Sequence, residues 1–277
     1  MKSEKITNII LFVVLTVLSI AFIFPVAVVL INSFKTKFSI NQEPFVIPHG
    51  EDFVGMENYI TGVNDTGFPM AFFWSVFITV FSVAAIIAFT SMTAWYIIRV
   101  KSVFSSLFYY ALVFSMIVPF QMVMFTMSKT ANVLRLDNPL GIILIYLGFG
   151  AGLSVFIFSG FIKSVPIEIE EAATIDGCNP PQIFWRVVFP ILKPTAITVA
   201  ILNTMWIWND YLLPYLVIGK DYKTIPVAIQ YLKGGYGSID MGAMMAMLVL
   251  AIIPVIVFYL SCQKYIIKGV AAGAVKG

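Results

Sequence analysis

Ionisable side chains are scarce in this sequence. Asp, Glu, Lys and Arg make up 11% of its 277 residues, against roughly a quarter in soluble globular chains. So few charges cannot cover a water-facing surface, which excludes an ordinary soluble globule. Cysteine occurs twice, at Cys178 and Cys262, and histidine once, at His49. Neither a zinc site nor a disulfide framework can be drawn from that set. Both thiols are read as free and His49 as an exposed loop residue. No phosphate-cradling GxxxxGK[ST] loop is present, so the chain cannot hydrolyse ATP by itself, and no nucleophile with a paired base stands out. The net charge is only +3, with the basic residues scattered near the ends of apolar runs, a pattern that anchors membrane helices and does not point to nucleic acid.

What the sequence has in abundance is apolar length: 60% of residues are hydrophobic and the mean hydropathy is +0.95. The runs between charged residues reach the ~20 residues that cross a ~30 Å hydrocarbon core as helix, the state that satisfies every backbone amide within its own segment. They predict six transmembrane helices over residues 7–32, 70–98, 103–127, 139–162, 194–218 and 240–263. The fold class is therefore an all-α integral membrane protein, with 1–277 forming one domain. Lys2 and Lys5 precede the first run as in a signal peptide, but its apolar stretch is too long and no small-residue cleavage site follows. Pro25, Pro119 and Pro254 fall inside expected helices, where local kinks are anticipated.

Six spans place both termini on one side of the membrane. The segments on that side hold ten of the 17 basic residues, a modest excess that favours cytoplasmic termini. On the opposite side, residues 35–65 mix Pro and Gly with acidic residues and read as irregular structure. Residues 163–193 are different. Pro166 suits a helix start, Glu168, Glu170 and Glu171 suit the positive end of a helix dipole, and Gly177 supplies a stop before Asn179, Pro180 and Pro181. Small Ala172 and Ala173 leave room for close packing, and residues 183–189 form an apolar patch ended by Pro190.

This segment resembles the signature of the inner-membrane permeases of ATP-binding-cassette importers: Glu-Ala-Ala, three residues, Gly, nine residues, Ile, one residue, Leu-Pro. Glu171, Ala172 and Ala173 open it, Gly177 follows, and Val187, Phe189 and Pro190 close it, with Val for Ile and Phe for Leu. The resemblance implies a type I importer permease fold in which this segment is a coupling helix docked on the ATPase subunit, in the cytoplasm. Glu171 and Asp176 would offer acceptors to the ATPase, Ala172 and Ala173 would permit close approach, and Gly177 would make the turn.

Two further stretches resemble the smaller permease of carbohydrate importers of the maltose-transporter type. The tail 264–277, with Lys264, Lys268, Gly269, Gly273 and Lys276, is similar to the basic, glycine-rich end of those chains, which implies a part in coupling. By composition alone it is a basic anchor with snorkelling lysines. Trp208, Asn209, Asp210 and Tyr211 are similar to their Trp-Asn-Asp-aromatic pattern. Trp206, Asn209, Asp210 and Tyr211 are accordingly candidates for the substrate path, although Asp210, near the outer end of its helix, equally suits a cap. Tyr231, Gly234, Gly235 and Tyr236 lie in an outer loop where related permeases meet a solute-binding protein, or form a simple flexible turn.

The resemblance further implies a homologous second permease, two copies of an ATPase that binds ATP and Mg, an extracytoplasmic solute-binding protein, and a place in the bacterial inner membrane. No cofactor is expected on this chain. Importers of glycerol phosphate are a rival within the family. A secondary transporter would need ionisable residues at mid-membrane, which are nearly absent.

Overall fold

A computed structural model describes residues 2–219, 221–232 and 240–274, with side chains described from Lys5 to Tyr265 outside those gaps. The described residues are almost wholly helical. The labels used here are α1 (Lys2–Asn32), α2 (Phe68–Arg99), α3 (Val103–Ser115), α4 (Phe120–Val133), α5 (Pro139–Ile162), α6 (Glu168–Ile175), α7 (Phe189–Asn209), α8 (Leu212–Val217) and α9 (Met241–Ala274). Five stretches are long and apolar enough to cross a membrane, and α3 with α4 makes a sixth if that bent pair is one span.

The bent pair departs from the single helix expected over 103–127. α3 and α4 meet at 106°, and Pro119 stands outside both as the N-cap of α4, with extended backbone. A proline has no amide hydrogen to donate and pushes its predecessor out of the helical region, so the chain breaks here. Pro25 and Pro254, by contrast, lie within continuous helices.

The helix expected over 194–218 also differs. It begins earlier, with Pro190 in the first turn of α7. It ends at Asn209, because Asp210 is extended at φ −74°, ψ 122°, and α8 starts afresh. The last helix runs on to Ala274, so much of the stretch expected as a tail is helical.

The chain divides into two units. In the first, Met1–Pro69 and Ala228–Ile256, the side chains of α1 from Lys5 to Val26 are exposed throughout. A helix apolar all round needs lipid or another chain against it. Residues 33–66 are better ordered than their composition suggested. Phe34 packs between Phe53 and Tyr59, the Tyr59 and Ser33 hydroxyls share a hydrogen bond of 2.8 Å, and buried Lys35 donates to the Glu43 carbonyl.

In the second unit, Met70–Val227 and Val257–Gly277, α5 is central, packed against α3 and α7. Ile78, Ile86, Tyr146, Phe158, Phe184, Val188, Leu192 and Val199 share the core. Buried Ser82, Ser91, Ser154 and Ser159 lie among them, small residues that let apolar helices approach closely. Gly150 is one such close approach between helices: a Cβ there would stand 2.6 Å from Cδ1 of Ile86.

Candidate functional site

The stretch joining α5 to α7 folds into a short amphipathic helix with a defined stop. α5 ends at Ile162, and Pro166 and Ile167 lead into α6, whose first turn carries Glu168, Glu170 and Glu171. No side chain caps its start, and the acidic residues complement the dipole there. At the other end Cys178 donates its amide to the Ala173 carbonyl, Gly177 donates to Thr174, and Gly177 takes φ +83°. That left-handed turn is nearly free for glycine and costs a β-branched residue most. Asn179 and Gln182 then form a reciprocal capping box ahead of Ile183.

α6 has two faces. Glu170 and Ala173 are buried toward the core, while Glu168, Glu171, Ala172, Thr174, Ile175, Asp176 and Gly177 are exposed. The two alanines expected to act alike therefore do not: Ala173 seats the helix on its own body, and Ala172 faces outward. Ile175 is 86% exposed, an apolar projection between Glu171 and Asp176. An isoleucine held outward beside carboxylates is suited to a protein partner with an apolar pocket and basic rim.

The residues that close the motif also pack inward. Phe184–Val188 form a π-helical turn running into α7, with Phe184 and Val188 fully buried. Val187 and Phe189 are half-buried against the same core, and Phe189 lies 5.1 Å from the Trp185 ring. Pro190 is exposed at the head of α7. The apolar patch over 183–189 thus lies largely in the core, and it holds α6 from beneath.

Glu170 is the residue of this segment whose place sequence reasoning passed over. It stood as one of three similar glutamates, and nothing local marks it out. In the structure its carboxylate accepts from Arg99 Nε at 2.8 Å and Nη2 at 2.7 Å through one oxygen, and from Trp95 Nε1 at 2.8 Å through the other. Arg99 also donates to the Val165 carbonyl at 2.9 Å.

The candidate substrate-path residues come together around Asp210. One carboxylate oxygen accepts from the amides of Leu212 and Leu213, capping α8, and the other accepts from the buried Tyr146 hydroxyl at 3.0 Å. Trp206 packs edge-on against Tyr146, Asn209 donates back to the Met205 carbonyl, and Tyr211 stacks on Tyr215. Asp210 is committed to capping and tethering. Trp206 and Asn209 are the exposed members of the set.

Of the outer-loop candidates, Tyr231 is exposed, and Gly234, Gly235 and Tyr236 lie outside the described residues. In the tail, Lys264 lies on α9 with its ammonium 5.1 Å from the Tyr265 ring. The side chains of Lys268, Gly269 and Gly273, and all of Lys276, are likewise outside the described set.

The family model of the binding-protein-dependent transport system inner membrane component matches residues 99–272. The chain is 40% identical to the probable starch degradation products transport system permease protein AmyC of Thermoanaerobacterium thermosulfurigenes, over 94% of each chain. It is 35% identical to the multiple sugar-binding transport system permease protein MsmG of Streptococcus mutans, over 99% of each. Among solved structures, a chain of a bacterial ABC transporter involved in the import of the acidic polysaccharide alginate superposes with a TM-score of 0.78. That likeness spans 96% of this chain and 98% of the other at 24% identity, and it bears on the fold.

Proposed function

The chain belongs to the family of binding-protein-dependent transport system inner membrane components, and on that premise we propose that it carries a sugar or oligosaccharide through the bilayer as one permease subunit of an ATP-binding-cassette importer. Its family is one of transport components and not of enzymes, so hydrolysis of ATP with Mg falls to separate subunits. The observation that carries the coupling assignment is the outward face of α6: Glu171, Ala172, Ile175, Asp176 and Gly177 exposed together on a helix whose other face is anchored. Such a surface supports docking in a cleft of the ATPase, with Ile175 filling an apolar pocket and the two acids meeting basic or backbone donors.

In this reading α6, and both termini with it, are cytoplasmic. A loaded binding protein docks on the outer side, ATP closes the ATPase dimer, and the coupling helices of this chain and of a homologous second permease are drawn together. The transmembrane helices then open the path outward. The exposed apolar length of α1 is consistent with cover by lipid or by that second permease. Val187, Phe189 and Pro190 support α6 from its own side, and the basic end of α9 serves coupling. Exposed Tyr231 is assigned to contact with the binding protein. Sugar contacts fall to exposed Trp206 and Asn209 sooner than to Asp210, whose oxygens are already engaged.

The test is ATP hydrolysis by the assembled complex in lipid with its binding protein, over a panel of maltotriose, raffinose and glycerol 3-phosphate. Stimulation by a sugar supports the carbohydrate assignment. Stimulation by glycerol 3-phosphate alone replaces it, and failure to assemble with any ATPase overturns the importer reading.

A further inference from the structure

We propose that Arg99, Trp95 and Glu170 form a latch that makes α6 and the end of α2 a single lever; the proposal rests on the docking role of α6 given above. An isolated helix of eight residues is marginal in water, so the orientation of α6 must come from what it touches. It joins the rest of the chain at Pro166 on one side and at the left-handed Gly177 on the other. Two such connections alone would let a docked helix swivel, and a push from the ATPase would be spent in the joints.

The latch removes that freedom. Trp95 and Arg99 are four residues apart on α2 and so share a face. Between them they engage both oxygens of Glu170, with three donor contacts of 2.7–2.8 Å. Arg99 also holds the Val165 carbonyl, so one side chain grips the chain on either side of Pro166. The Trp95 ring lies 5.5 Å from that of Phe184, which brings the π-helical turn before α7 into the same contact. The Arg99 and Glu170 side chains are only 16% and 10% exposed, and a pair so shielded is weakly screened by salt. Displacement of α6 is thereby transmitted to α2. These three are positioning residues: their polar groups are engaged with one another and with the Val165 carbonyl, and they act through α6.

The test uses the whole transporter in proteoliposomes. Glu170→Gln and Arg99→Lys keep hydrogen-bonding side chains while loosening the grip. With the ATPase still co-purifying, solute taken up per ATP hydrolysed, for the panel member that stimulates, is expected to fall by about 2- to 30-fold, the range for changes within a coupling network. A native ratio in both variants overturns the latch. A second measurement keeps all three residues intact and needs no solute. Spin labels at exposed Tyr96 and Glu168, with Cys178 and Cys262 changed to Ser, should hold one separation in ATP-free and ATP-bound complex. A separation that changes while hydrolysis is retained overturns the proposal. The docking reading fails separately, if Glu171→Lys and Ile175→Asn bind the ATPase as tightly as the native chain does.

Discussion

Changing Ile175 to Asn tests the docking face at the position where the structure is most explicit. Ile175 is 86% exposed, so nearly its whole side chain remains to be buried by a partner. Full burial of an isoleucine side chain stabilises by about 1.5–3 kcal/mol, and scaling by the exposed fraction leaves about 1.3–2.6 kcal/mol available to the interface. At 1.4 kcal/mol per tenfold, the variant should bind the ATPase about 8- to 70-fold more weakly. Because the residue ends α6 with almost no internal contact, the variant should retain its own stability to within about 0.5 kcal/mol. The assay is the affinity of the isolated ATPase for permease held in lipid nanodiscs, with thermal melting of the same preparation as control. Native affinity with an unchanged melt would refute the assignment of this face to the ATPase.

Gly177→Val should cost about 1–2 kcal/mol at its φ of +83°, where no neighbour lies within 4 Å to add a clash. Uptake should be lost while the chain stays membrane-inserted, and Gly177→Asn should be milder, as read by uptake and protease protection. Asp210→Ala removes the cap of α8 and strands the Tyr146 hydroxyl, a loss of about 2–4 kcal/mol visible as a lower melting temperature. Asp210→Asn, which keeps an acceptor for the two amides, should lose less. Gly150→Val forces atoms into the 2.6 Å space before Ile86 and should destabilise by about 1–3 kcal/mol in the same melt.

Much of this protein was legible in its residues because the bilayer imposes a local rule. An apolar run of sufficient length must be helix wherever it meets lipid, so the spans at 139–162 and near 7–32 and 70–98 could be read without knowing any neighbour. The local form of residues 163–193 was legible for a related reason: the glycine stop, the capping asparagine and the acidic first turn are all short-range devices. The break at Pro119 carried a local signal too, but hydropathy continues across it, and a hydropathy reading saw one helix where the chain makes two.

Only the tertiary structure decided which of Glu168, Glu170 and Glu171 turns inward. Three glutamates in one turn have the same helix propensity and the same attraction to the dipole. What separates them is Arg99 and Trp95, which lie about seventy residues earlier in the chain. The same holds for Ala172 against Ala173, and for the tether that joins Asp210 to Tyr146 on another helix. Burial and ion pairing depend on what stands opposite a side chain once helices have packed. Hydropathy and helix signals depend only on what stands beside it in the chain, so the sequence determined the spans and the motif while packing chose which residues face the core and which remain outside for a partner.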